Sequence, residues 1–158
     1  MEIARNFSFR YPGQAQDLLR PDLLFGHYPP FAELELREGI LQGALVTVVP
    51  LLGEVRFPFR SRLVPQGHSA HLEALRLDPE PELWAELEGE GWVAEELNYW
   101  IQLRLHAQLP AGEKWGGKAL RKMAESAFER TLQRWLASLA EAGGSPPSVR
   151  PDALRKSP

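Results

Sequence analysis

The sequence predicts a single α+β domain in which an antiparallel sheet packs against one long C-terminal helix. Two observations predict it: apolar and polar residues alternate in short runs between turn residues, and one long helical periodicity lies near the C-terminus. A chain of 158 residues, 44% of them hydrophobic, can bury one core but leaves no room for a second full domain. We expect one domain over residues 1–142 and a flexible proline-rich tail over 143–158.

The N-terminal segment has the alternation of a strand with one buried face. One side of this predicted strand contains Ile3, Arg5, Phe7, Phe9 and Tyr11. Residues 14–28 then contain clustered leucines that are interrupted by Pro21 and Gly26. This pattern predicts two short helices, with Pro21 in the first turn of the second.

Residues 31–110 contain six strand-like runs separated by turn signals such as Glu38-Gly39 and Gln66-Gly67. Because the connections are too short for helical crossovers, neighbouring strands are expected to be antiparallel. The inward face of the fourth strand of the chain is predicted to contain Val55, Phe57, Phe59, Ser61 and Leu63. That of the last strand is predicted to contain Leu97, Tyr99, Ile101, Leu103 and Leu105.

Two strands have a less certain register. The pattern places both Leu87 and Trp92 on the inner face, although one position is odd and the other even and an unbroken strand would put them on opposite faces. We therefore expect a β-bulge within residues 88–91, because one added residue reverses the faces. In the fifth strand either His71 with Glu73 or Leu72 with Ala74 faces inward, and the pattern leaves both registers open.

The C-terminal helix is predicted over roughly residues 116–141. Its apolar positions recur at three- and four-residue steps: Leu120, Met123, Ala127, Phe128, Thr131, Trp135 and Leu139. The pair Gly143-Gly144 provides a stop signal.

The order β-α-α-β-β-β-β-β-β-α resembles the helix-grip fold of the START-related superfamily (SRPBCC), which includes pollen-allergen-like proteins, polyketide cyclases and lipid-transfer domains. Among its members, the chain looks most like small uncharacterised bacterial proteins. The resemblance rests on element order and spacing over residues 1–141. It implies a curved seven-stranded sheet wrapped around the long helix, with an apolar cavity in which members bind hydrophobic small molecules.

The predicted function is therefore non-catalytic binding of a lipid- or isoprenoid-like molecule between sheet and helix. Burial of apolar surface would supply the affinity, and Arg5 or Tyr99 would orient the ligand, with Arg5 suited to a carboxylate. The pattern alone does not separate a lined cavity from a packed core. The predicted ligand contacts are Arg5, Phe7, Phe9, Tyr11, Phe57, Phe59, Trp92, Tyr99, Ile101, Met123 and Phe128.

Composition argues against several other classes. A net charge of −3 and a pI near 5.8 disfavour nucleic acid as a partner. No apolar run is long enough for a spanning helix and the N-terminus is polar, which predicts a cytoplasmic protein. The absence of Cys excludes disulfides and thiolate metal ligands. A preference for Arg, Glu and Pro together with few Asn and Met fits a thermophile or a GC-rich genome.

One segment imitates a nucleotide-binding motif. Residues 112–118 satisfy G-x-x-x-x-G-K, but the next residue is Ala119, where magnesium binding needs a hydroxyl, and the predicted sheet is not parallel. We therefore expect no nucleotide and no other cofactor. We also expect no metal, because His68 and His71 have a spacing that separates them on a strand, and His27 and His106 are isolated in sequence.

Two alternative functions stay open. The first is an interaction module with a filled core, working as a homodimer through Trp84 and Trp100 on the outer sheet face. The second is a cofactor-independent cyclase or hydratase that uses His71, Glu73 or Tyr99 for acid–base chemistry. If Arg5 instead forms a buried pair with Glu73, the two residues have a structural and not a catalytic role.

Overall fold

The computed structural model describes residues 2–26, 30–50, 53–107, 117–141 and 148–150. It contains one 3₁₀ helix, two α-helices and eight strands in these described residues. The helices are the 3₁₀ helix Ala15–Leu19, α1 Pro21–Phe25 and α2 Gly117–Glu141. The strands are β1 Glu2–Tyr11, β2 Phe31–Arg37, β3 Ile40–Val49, β4 Gly53–Gln66, β5 Ser69–Ala74, β6 Leu83–Ala94, β7 Glu96–Ala107 and β8 Ser148–Arg150.

All strands join one antiparallel sheet with the order β2-β3-β4-β5-β6-β7-β1-β8. The predicted α+β fold class, element order and antiparallel pairing are therefore confirmed, with Pro21 at the start of α1. The sheet contains one strand more than the seven expected. This strand, β8, lies within the predicted tail and pairs with β1 from Asn6 to Ser8.

Tight turns explain why the strands pair in this register. Glu38 and Gly39 both have positive φ angles, of 52° and 77°, and connect β2 to β3. Glu95 has a φ of 66° between β6 and β7, and the pairing of Ala94 with Glu96 leaves no other residue in that turn. The two-residue turn at Glu38-Gly39 requires positive φ angles at both residues, as primed turns do, because the twist of such turns matches the twist of the strands they join.

The predicted bulge in β6 is wrong. Residues of β6 pair with β7 in one unbroken register, in which Trp92 lies opposite Asn98 on the outer face. Trp92 therefore does not face the interior as predicted. The inward positions at this end of β6 are held by Gly89 and Gly91, and their lack of a side chain removed the apolar signal that the alternation would have shown.

The register of β5 is also settled. Ala70 and Leu72 are buried on the inner face, which places His71 and Glu73 on the outer face. The described strands do contain a register shift, but it lies in β2 between Ala32 and Glu35.

The core forms where α2 covers the inner face of the sheet. Trp135 of α2 is fully buried, and its ring contacts four phenylalanine rings edge-on at centroid distances of 4.9 to 6.1 Å. Its indole Nε1 also donates a hydrogen bond of 2.8 Å to the backbone oxygen of Phe25. The cluster joins the long helix to the sheet and to the short helix α1, and edge-to-face ring contacts add about 0.5–1.5 kcal/mol each beyond area burial. The four rings are Phe7, Phe9, Phe25 and Phe31.

Gly91 allows the 3₁₀ helix to close over this core. A Cβ atom at residue 91 would lie 2.5 Å from Tyr99 Cε2 and 2.7 Å from Leu18 Cδ2. Both distances are shorter than van der Waals contact. The absence of a side chain is therefore what lets Leu18 and Tyr99 pack against β6.

We expect Gly91→Ala to destabilise the protein by about 1–3 kcal/mol, the usual cost of overpacking a closed core. Chemical denaturation measures this. In a Leu18→Ala background the same substitution should cost less, because one of the two clashing side chains is gone. An equal cost in both backgrounds would contradict the assigned contact.

Candidate functional site

A cleft of about 470 Å³ lies between β3 and the C-terminal half of α2. It forms at the margin of the sheet, because the pairing of β2 with β3 begins at Phe31 opposite Leu45 and β3 runs on to Val49. The volume falls within the range of about 300–1,000 Å³ that is common for small-molecule sites. The cleft is lined by Val46, Thr47, Val48, Glu54, Ala127, Arg130, Thr131, Arg134, Trp135 and Ser138.

Two buried threonines connect the walls of the cleft. The Oγ1 atoms of Thr47 on β3 and Thr131 on α2 are 3.1 Å apart. Because Thr131 donates its own hydroxyl proton to the Ala127 backbone oxygen at 3.0 Å, Thr47 is the donor between the two. The hydroxyl pair is thus satisfied internally and holds the helix at a fixed distance from the strand.

The charged residues of the cleft differ in their bonding. Glu54 pairs with Arg56 at 3.1 Å, and Arg56 also reaches Glu33 at 2.7 Å. Arg130 and Arg134 are exposed residues of α2 that line the cleft, and neither forms an ion pair with any described residue. The cleft therefore combines apolar lining residues with two guanidinium groups that no described acidic side chain neutralises.

The predicted ligand contacts lie elsewhere. Most of the aromatic ones pack against each other or against Trp135 as a continuous core, and Met123 and Tyr11 are only partly buried at its margin. None of the eleven residues lines the cleft between β3 and α2. Their role as ligand contacts stays a prediction.

Arg5 faces the helix side of the sheet, as its parity predicts, but its partner differs from the expected one. Its Nε donates to the Glu129 carboxylate of α2 at 2.7 Å, and its Nη1 donates to the Ala4 backbone oxygen. Glu73 is on the opposite face, so an Arg5–Glu73 pair does not form. The ion pair with Glu129 reduces the charge that Arg5 can offer to a carboxylate ligand.

Tyr99 is buried in the core between Phe9 and Phe25. Its hydroxyl finds no hydrogen-bond partner among the described residues. Burial raises the pKa of this phenol well above its usual value because the phenolate would lose its hydration. By contrast Ser61, another inward polar residue, donates to the Leu87 backbone oxygen at 2.6 Å.

The outer sheet face contains the remaining candidates. Trp84 and Trp100 are half-buried and not exposed as expected, and Trp84 stacks on His106 with 3.9 Å between ring centroids. His106 in turn bonds Glu86 at 2.7 Å. His71 bonds Gln66 at 2.9 Å and lies on the opposite face of the sheet from Tyr99. A dimer through Trp84 and Trp100 stays a prediction.

The remaining predictions concern His27, the nucleotide-like motif, metal sites and membrane helices. His27 and residues 112–116 of the nucleotide-like motif lie outside the described residues, and Gly117 and Lys118 begin α2. Within the described ranges no three His, Asp or Glu side chains converge as a metal site requires. The described helices include none with both the length and the apolar character needed to cross a membrane.

The sequence pattern did not identify the residues that line the cleft, and the reasons are specific. Thr131 was placed on the buried stripe of the helix, but the neighbouring Arg130 and Arg134 read as ordinary solvated positions. One signal was available. These two arginines are four residues apart and border the stripe, and neither has an acidic residue at the third or fourth position on either side.

The chain is similar to several solved structures. TTHA0849 from Thermus thermophilus superposes with a TM-score of 0.52 at 17% identity, covering 90% of this chain and 96% of that one. The di-domain ARO/CYC BexL from the BE-7585A biosynthetic pathway gives 0.46 at 18% identity, covering 89% of this chain and 50% of that one. A conserved protein from Geobacillus kaustophilus gives 0.41 at 12%, covering 89% and 97%.

The first of these similarities shows a shared fold and, at such low identity, nothing about activity. No curated protein matches the chain. A family model described as a protein of unknown function, DUF3809, matches residues 6–137.

We expect Tyr99→Phe to keep the stability at neutral pH or raise it by about 1 kcal/mol, because it removes a buried hydroxyl that has no partner among the described residues. The raised pKa of Tyr99 also means that its ionisation favours the unfolded state as pH rises above 10.0, the ordinary tyrosine value. The variant should therefore lose less stability than wild type at alkaline pH.

Denaturation at neutral pH and at a pH just above 10.0 measures both effects, with Tyr11→Phe as the half-buried control. A loss of stability at neutral pH would show that the hydroxyl is bonded.

Proposed function

The chain belongs to the DUF3809 family, and we propose that it binds an apolar or amphipathic small molecule, lipid- or isoprenoid-like, without transforming it. The cleft of about 470 Å³ between β3 and α2 carries this proposal. We also propose that the family is part of the START-related helix-grip superfamily, which the element order and the shape of the sheet support.

The chemistry of the cleft favours an elongated, largely apolar ligand. Val46 and Val48 border the cleft at the edge of β3 and supply apolar surface there, and Val48 is 67% exposed. Covering such surface yields about 25 cal/mol per Å². A ligand lying along β3 would therefore gain affinity from burial of both its own chain and this wall.

Binding is better supported than catalysis. The residues that the sequence nominated for acid–base chemistry do not meet in the cleft, because His71 and Glu73 are on the outer face and Tyr99 is enclosed by aromatic rings. General acid–base catalysis needs such groups within hydrogen-bond reach of one reacting molecule.

We expect Ser138→Trp to weaken binding of the neutral fluorescent probe N-phenyl-1-naphthylamine by about tenfold or more, because a bulky ring at the cleft wall fills space that the ligand needs. Gln133→Trp is the matched control, since Gln133 is exposed on the same helix and does not line the cleft. Fluorescence titration measures both. Equal affinities of the two variants, or no binding to wild type, would overturn the cleft as the site.

Protein purified from its source organism should retain an extractable apolar adduct. Native mass spectrometry detects it as added mass, and organic extraction identifies its class. Its occupancy should fall in the Ser138→Trp variant and stay at the wild-type level in the Gln133→Trp control. An apo mass in every preparation would argue against a tightly held ligand.

A further inference from the structure

We propose that the ligand of this cleft is an anion with an apolar chain, whose single carboxylate or phosphate head is held by Arg130 and Arg134. The inference deepens the proposed function and rests on it. It concerns the head group alone, which the apolar wall of the cleft does not specify.

The first argument is that the two arginines have no ion-pair partner among the described residues. They are one helical turn apart, and both line the cleft. Like charges at this spacing repel each other in a helix. An anion bound between them relieves the repulsion and receives parallel N–H donors, which is the geometry that guanidinium groups offer to carboxylates and phosphates.

The second argument is that Glu125 and Glu129, the acidic residues of α2 whose side chains the structure describes, are committed elsewhere. Glu125 pairs with Arg121 at 2.8 Å, and Glu129 pairs with Arg5 at 2.7 Å. No residue three or four positions from Arg130 or Arg134 is acidic. Helical neighbours therefore cannot neutralise these two side chains, in contrast to Arg121.

The third argument concerns Glu54, the one acid among the described residues that line the cleft. Its carboxylate is engaged by Arg56, which also pairs with Glu33, so this single lining carboxylate stands against two lining arginines. A cationic ligand would have to displace that pair and would also face the two arginines. The charge balance of the cleft thus favours a negative head group.

The fourth argument is the separation of polar and apolar parts. The threonine pair satisfies its own hydrogen bonds and makes no demand on a ligand. Val46 and Val48 border the cleft at the edge of β3, with side chains on the face opposite Thr47, and the arginines line the cleft from α2. A head group on α2 and a chain along β3 would match both surfaces at once.

The test compares three ten-carbon probes with different heads by isothermal titration: decanoate, decyl phosphate and 1-decanol. We expect wild type to bind both anions about tenfold or more tightly than the alcohol, the size of effect that charge-assisted bonds at a part-open site provide. Raising the salt concentration should weaken the anions and leave the alcohol unchanged. The relative affinities of decanoate and decyl phosphate distinguish an acyl carboxylate from a phosphate head.

The decisive variant is Arg130→Gln/Arg134→Gln. It should lose about tenfold or more in affinity for both anions and keep the wild-type affinity for 1-decanol. The control is Arg62→Gln/Arg104→Gln, which changes the net charge equally at exposed positions of the outer sheet face. Thermal melting of both variants verifies that they fold.

Three outcomes would overturn the head-group inference: equal affinity of wild type for decanoate and 1-decanol, equal loss for all three probes in the cleft variant, or the same loss in the outer-face control. The first two leave apolar binding intact, so the proposed function would survive them. Failure of every probe and of N-phenyl-1-naphthylamine to bind wild type would overturn both proposals together.

Discussion

The contact of Trp135 with the rings around it is the interaction on which the rest of the structure depends. It packs α2 against β1 through Phe7 and Phe9, and against the short helix α1 and β2 through Phe25 and Phe31. The hydrogen bond from its indole to the Phe25 backbone oxygen fixes the end of α1 against the long helix. Loss of this one side chain would remove the ring contacts that pack α2 against β1, α1 and β2 and would leave a large cavity among them.

With the core filled in this way, the cleft between β3 and α2 lies at the margin of the sheet. The inner face is occupied by rings from Phe9 to Tyr99, whereas β3 runs beyond the point where its pairing with β2 begins. The helix bridges this region through the hydroxyl pair of Thr47 and Thr131, which sets the gap between the walls. The cleft is thus a consequence of unequal strand lengths and of a polar contact that holds the helix off the strand.

Alternation of side chains predicted most of the fold because it reports directly which face of a strand is buried. In β1, β4 and β7 the inward positions are apolar except for Arg5 and Ser61, and the structure confirms each of these faces. The same rule failed in β6, where Gly89 and Gly91 hold inward positions without adding an apolar signal and Trp92 supplies a misleading one. The reason for glycine at position 91 is a close approach of Leu18 and Tyr99, which no local pattern encodes.

The sequence by itself determined seven of the eight described strands, their antiparallel order, the buried stripe of the long helix and the position of Pro21 at a helix start, because these follow from local periodicity and backbone geometry. Only the tertiary structure decided the partner of Arg5, the filling of the interior and the place of the cleft. Each of these depends on residues far apart in the chain, such as Arg5 with Glu129 or Thr47 with Thr131. Their proximity is set by how far the helix lies along the sheet, a distance that sequence spacing does not contain.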